Sequence, residues 1–137
     1  MENQKETSKS KIPLYREIIT TRDELETIHT AVSILNLSKK LRKEEKTLRP
    51  RNIEVLSFFI LYGFSKETKK LIQDTLDVKP HTVAQNTTDL VKAGAIYRDM
   101  YNQNVYHVNQ EYLDLKDFFL EKSNFRLFCI QLQKNNA

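Results

Sequence analysis

The sequence predicts a mainly α-helical fold with one small β-hairpin, and three observations carry that prediction. Apolar residues recur at three- and four-residue steps through most of the 137-residue chain, the spacing that puts side chains on one face of a helix. Only two glycines and three prolines occur, which leaves little material for long irregular loops. The exceptions to helical spacing are two short runs rich in β-branched and aromatic residues, Ala95 to Asp99 and Val105 to Val108, with the turn-forming Asn102, Gln103 and Asn104 between them. From Ser65 to Val108 the resulting order is helix, tight turn, second helix and two-stranded wing. That order is a winged helix-turn-helix, here with flanking N- and C-terminal helices.

The length suits one domain over residues 12–137, behind a polar tail at 1–11 that has nothing to bury. The tail carries Lys5, Lys9 and Lys11, so a basic arm along a DNA groove is the alternative to a solvated terminus. A formal net charge of +4 permits binding to a phosphate backbone without demanding it. A lone cysteine, Cys129, cannot form an internal disulfide and fits a reducing compartment. Met1 to Ser10 lacks the apolar stretch of a secretory signal, and no later run reaches the roughly 18 apolar residues of a membrane span. A cytoplasmic protein without membrane contact is expected.

The first long helix starts near Thr21 or Asp23, either of which can accept a bond from an orphan backbone N–H. Leu25, Ile28, Val32, Leu35 and Leu41 recur along it, and Ala31 and Ile34 widen the stripe. One compact core hardly needs so wide a stripe, so part of it is free to face a partner subunit. Lys39, Lys40, Arg42 and Lys43 follow, a solvated helix end that also suits the helix dipole, with phosphate contact as the alternative.

The winged core spans residues 48–108. Thr47-Leu48-Arg49-Pro50 reads as a helix start, because the missing N–H of a first-turn proline would be unpaired there anyway. Ile53, Leu56, Ile60 and Leu61, thickened by Val55, Phe58 and Phe59, make this helix the expected centre of the core, ended by Gly63. Ser65 caps the next helix, Lys66 to about Leu76, with Leu71, Ile72 and Leu76 inward. Pro80 pushes Lys79 out of the α region and opens a helix running to about Ala93, stopped by Gly94. Ile96, Val105 and Tyr106 are expected on the inner face of the hairpin.

From Gln110 the helical pattern returns through Tyr112, Leu115, Phe118 and Phe119. Lys122-Ser123-Asn124 then breaks it before a second apolar run, Phe125 to Leu132. The flanking segments 21–45 and 110–133 carry enough apolar surface for a homodimer platform, or for packing the two ends of the chain on each other.

The helix after Pro80 carries the functional prediction. Val83, Thr87, Leu90 and Gly94 fall on one stripe. His81, Thr82, Gln85, Thr88, Asp89 and Lys92 lie opposite, with Asn86 on the flank. A helix of about this width enters the major groove of double-stranded DNA. Gln85 and Asn86 are expected base contacts, since a carboxamide can pair bidentately with adenine. His81 and Thr82, at the helix N-terminus, reach base edges or phosphates. Lys79, Lys92 and Arg98 are the expected phosphate contacts, with Tyr101 and Asn102 at the wing tip next. The alternative for each is an ordinary exposed polar residue.

No catalytic, cofactor or metal site is expected. His29, His81 and His107 are far apart in sequence, no glycine-rich phosphate loop occurs, and Cys129 sits among Phe125, Phe128 and Ile130 as a small hydrophobe would.

With these residues in view, the chain resembles the winged-helix regulators of the multiple-antibiotic-resistance regulator (MarR) type. That family's core helix opens with Leu-Thr-Pro, where this chain has Leu48-Arg49-Pro50. Its recognition helix has an early Thr-Val, here Thr82-Val83, then Leu-Val-x-x-Gly and an apolar strand, here Leu90-Val91 and Gly94-Ala95-Ile96. The resemblance implies transcription regulation by a homodimer paired through its outer helices, with a wing arginine in the minor groove. The wing departs from that pattern: Tyr101-Asn102-Gln103-Asn104 has no arginine at its tip, and Arg98 stands further down the strand. The reading head is also weakly basic, since Asp89 and Asp99 offset Lys79, Lys92 and Arg98. The alternative expectation is therefore a winged-helix adaptor that docks on a protein of the transcription or replication machinery.

Overall fold

The computed structural model describes residues 21–44 and 46–121. They form α1 (Glu24–Leu41), α2 (Pro50–Tyr62), α3 (Lys66–Leu76), α4 (Pro80–Lys92), β1 (Ile96–Arg98), β2 (Tyr106–Val108) and α5 (Gln110–Glu121). These residues are mainly helical, with one antiparallel two-stranded sheet. The expected N-terminal tail, the second C-terminal helix and Cys129 lie outside the described residues.

The core is built around α2. Arg49 precedes it in extended conformation and Pro50 opens it, as the Leu-Arg-Pro start implies. Residues on every side of the helix are buried, from Ile53, Val55 and Leu56 to Phe58, Phe59 and Ile60. Ser57 is buried among them and donates its hydroxyl to the Ile53 carbonyl at 2.8 Å, so no polar atom is stranded there. Gly63 ends the helix at a φ of 86° and ψ of 169°, a region closed to side chains with a Cβ.

The Asp23 carboxylate accepts from Glu26 N at 2.9 Å and caps α1. Ile28, Ala31 and Val32 are buried against the core and Leu25 and Leu35 half-buried. Ile34 and Leu41, expected on the same stripe, are exposed instead. With Leu37 they form a second apolar line on the opposite side, because α2 and α5 cover one face of α1 only. Sequence spacing missed Asn36, which is buried. Its Oδ1 accepts from Leu48 N at 2.7 Å and its Nδ2 donates to Leu48 O at 3.0 Å. This side chain replaces a strand partner for one residue of the α1–α2 link and fixes where α2 begins.

Helices α1 and α5 pack together. Lys39 Nζ reaches Glu111 Oε1 at 2.7 Å and lies 5.5 Å from the ring centre of buried Tyr112. Burial works against the Lys39 charge, but its hydrogen bonds and the charges of Glu111 and Tyr112 together outweigh it, so its pKa is raised. Burial also raises the Tyr112 hydroxyl above its ordinary value.

Ser65 Oγ accepts from Thr68 N at 3.1 Å at the start of α3. The inward line of α3 is Thr68, Ile72 and half-buried Leu76. Leu71 is 39% exposed, contrary to expectation, since it lies about 100° around the helix from Ile72. Asp77 then takes a left-handed conformation (φ 53°, ψ 54°), Val78 N donates to Gln73 O at 3.1 Å, and Lys79 is extended. Pro80 begins α4, which packs on α2 and α3 through Val83, Asn86, Thr87 and Leu90. Gly94, at a φ of 80°, turns the chain into the hairpin.

The strand register pairs Ile96 with Val108, Tyr97 with His107 and Arg98 with Tyr106. Ile96 and Val108 are buried and Tyr106 half-buried, whereas Val105, expected inside, is 38% exposed. Alternation decides this: Tyr106 and Val108 share a face, so Val105 falls on the other. Phe64 stacks between Phe59 and Tyr106, with ring centres 4.7 Å from each, and ties the hairpin to α2.

Candidate nucleic-acid interface

Because α2 and α3 cover one side of α4, its other side is open. His81, Gln85, Thr88 and Lys92 are exposed along it, and Thr82 and Asp89 are half-buried at its edges. Steps of four, three and four keep the four exposed residues on one line, about 17 Å long at 1.5 Å per residue. Gln85 Nε2 donates to Asp89 Oδ1 at 3.1 Å, which holds the amide along the helix. Any base contact by Gln85 exchanges this bond for one to DNA. At the start of α4, Lys79 supplies no side-chain cap, and its carbonyl accepts from Thr82 N and Val83 N.

Asn86 is not part of that open face. It is 8% exposed, and its Nδ2 donates to Asn52 Oδ1 of α2 at 2.9 Å. Asn86, Thr87 and Leu90 lie three, four and seven residues after Val83, the spacing of a buried stripe, so Asn86 stands in the middle of the inward face. The expectation of a base contact from Asn86 is therefore corrected to a core amide pairing α4 with α2. Its Oδ1 has no partner among the described residues.

The hairpin presents a different chemistry. Arg98 lies over the Tyr106 ring, 5.4 Å from its centre, back from the tip. The tip itself is organised by Asp99. Its Oδ2 accepts from Tyr101 N at 2.9 Å and Asn102 N at 3.0 Å, while Oδ1 meets His107 Nε2 at 2.8 Å. The His107 bond and then these backbone bonds lower the Asp99 pKa. Asn102 Oδ1 accepts from Asn104 N, so only its NH2 group remains for a ligand. Met100 and Tyr101 project from this ordered turn, 85% and 92% exposed.

Of the expected phosphate contacts, Lys79 and Lys92 are exposed at opposite ends of α4, and Arg98, Tyr101 and Asn102 are exposed on the hairpin. Two cations were missed by sequence reasoning. Lys46 and Arg49, on the link into α2, line one pocket with Lys92. The only sequence signal was their distance of three residues from each other, which says nothing of Lys92.

Among the described residues, no group of three or more His, Cys, Asp or Glu could hold a metal ion. No helix among them is long and apolar enough to cross a membrane. Comparison with protein-family models, with curated proteins and with solved structures gives no match to this chain.

Proposed function

We propose that this protein is a winged helix-turn-helix regulator that binds double-stranded DNA, with α4 as recognition helix and the β1–β2 hairpin as wing. One observation carries the reading. A helix held on one side by α2 and α3 leaves a straight line of His81, Gln85, Thr88 and Lys92 open to solvent, and a hairpin follows it directly. A helix fixed in that way needs no rearrangement to enter a major groove. The resemblance to MarR-type regulators extends the proposal to a homodimer. The exposed line Ile34, Leu37 and Leu41 on α1 supports that extension as an apolar surface of suitable kind.

Selection of bound sequences from random duplex DNA tests the reading, followed by Gln85→Ala on the selected site. The substitution is expected to cost about 1–3 kcal/mol and to relax preference at one position. Equal loss on all sequences would remove Gln85 as a base reader. A dimer predicts half-sites about one helical turn apart.

A second reading is favoured by the hairpin tip, where the large side chains of Met100 and Tyr101 are exposed. It is a winged-helix adaptor for a protein of the transcription or replication machinery. Salt-insensitive protein binding with no DNA retention at low salt would select it, because phosphate contacts make DNA binding strongly salt-dependent.

A further inference from the structure

An open pocket of about 250 Å³ lies where the α1–α2 link meets the last turns of α4. Lys46, Arg49 and Lys92 line it, with Asn52 and one carboxylate, Asp89. Some cations elsewhere are neutralised, Arg22, Lys39, Arg42, Arg51 and Lys70 each by a carboxylate, while others among the described residues, such as Lys40, Lys79 and Arg98, are not. Among the described residues, Lys46, Arg49 and Lys92 have no such partner. Asp89 accepts from the Gln85 amide and keeps its charge, and the three cations outnumber it. Three cations against one carboxylate leave a net positive charge in the pocket, and an anion lowers the repulsion among them.

The pocket also holds the start of α2. Ile53 is the first residue of α2 whose N–H returns to the chain, at 3.0 Å from Arg49 O, and no side chain caps the helix. The position of the link is not arbitrary, because Asn36 binds both backbone polar groups of Leu48. An anion with several acceptor oxygens fits ammonium groups, a guanidinium fork and a helix start better than a carboxylate does.

We infer that this pocket binds a phosphate group, and that on DNA it seats one backbone phosphate at the C-terminal end of the α4 reading line. Lys92 ends the same line that begins at His81 and includes Gln85. A phosphate held there fixes how far α4 slides along the groove. It also supplies charge that the reading head itself lacks. The phosphate chemistry is independent of the DNA reading; only its source on the duplex rests on it.

The test uses the full chain and the variant Lys46→Gln/Arg49→Gln/Lys92→Gln, with Lys66→Gln/Lys70→Gln/Lys116→Gln as a control of equal charge loss. Inorganic phosphate, and separately a 20-base-pair duplex, are titrated while backbone amides are followed by NMR and DNA affinity is measured against salt. Saturable shifts of Arg51 and Asn52 amides with phosphate, absent in the pocket variant and kept in the control, are expected. On DNA, the slope of log K against log salt is expected to fall by about 0.9 for the phosphate lost, with equal weakening on all sequences. Phosphate binding without any DNA binding supports the pocket with a free phosphate compound as its source, and overturns the DNA reading. DNA binding whose affinity and salt slope match between pocket variant and control overturns the seat on DNA and leaves the DNA reading standing; absence of saturable phosphate shifts in the unaltered chain overturns the pocket itself. No response to either probe overturns both.

Discussion

Helices α2 and α4 begin alike and end with different tasks. Each is thirteen residues long, each follows an extended basic residue, and each opens on a proline with no side-chain cap. Yet α2 is buried on all sides, while α4 buries the line Val83, Asn86, Thr87 and Leu90 and leaves the rest open. The difference lies in what stands around them: α1, α3, α4 and α5 all pack on α2, whereas α4 meets α2 and α3 and then leads into the hairpin. Helix start chemistry determines where a helix begins, not whether it serves as core or as a presented surface.

Phe59→Ala gives the largest expected break in this comparison. Phe59 has no exposed surface and stacks on Phe64, so truncation is expected to cost about 3–5 kcal/mol in urea unfolding. Gln85→Ala on the open side of α4 is expected to leave stability within about 0.5 kcal/mol. If the two variants unfold alike, α4 is as much core as α2 and the contrast fails.

Asn36→Ala comes next. It strands the N–H and C=O of Leu48 away from water, an expected loss of about 2–4 kcal/mol for two buried groups. Unchanged unfolding would mean that water replaces the amide, and that α2 is positioned by packing alone.

The glycines that end the two helices sharpen the comparison further. Neither leaves a Cβ anything to meet within 4 Å, so substitution costs backbone strain only. Gly63→Ala is expected to lose about 1–3 kcal/mol and Gly94→Ala about 1–2 kcal/mol. A loss at Gly94 well above that range would show that the path into the hairpin tolerates no adjustment.

The smallest effect concerns the hairpin and pH. Asp99 has a lowered pKa when folded, chiefly from His107, so its contribution is fully present above the ordinary aspartate range and is lost as pH falls through the depressed value. Amide signals of Tyr101 and Asn102 are expected to shift together in that acidic window. Asp99→Asn is expected to abolish the shared titration, and its persistence would show another group at work.

Much of the local structure was legible in the sequence because its causes are local. Asp23 and Ser65 as caps, Pro50 and Pro80 as first-turn residues, and Gly63 and Gly94 at positive φ act within a few residues of themselves. The errors fall where the cause lies elsewhere in the chain. In the sequence alone, apolar character places Leu71 and Val105 inward, and a carboxamide suited to base contact places Asn86 on the flank of the open face. Their facing follows from register and from the neighbour that covers each side. For Asn86 that neighbour is Asn52, thirty-four positions away.

By itself the sequence determined the order of helices and hairpin, the residues that start and stop them, and the weak basic balance of the chain. These follow from backbone conformational limits and side-chain spacing, which need no distant partner. Only the tertiary structure decided that α2 is enclosed and α4 half open, that Asn36 pins Leu48, and that Lys46 and Arg49 meet Lys92. Such meetings depend on how helices pack in space, and residue type alone does not carry that information.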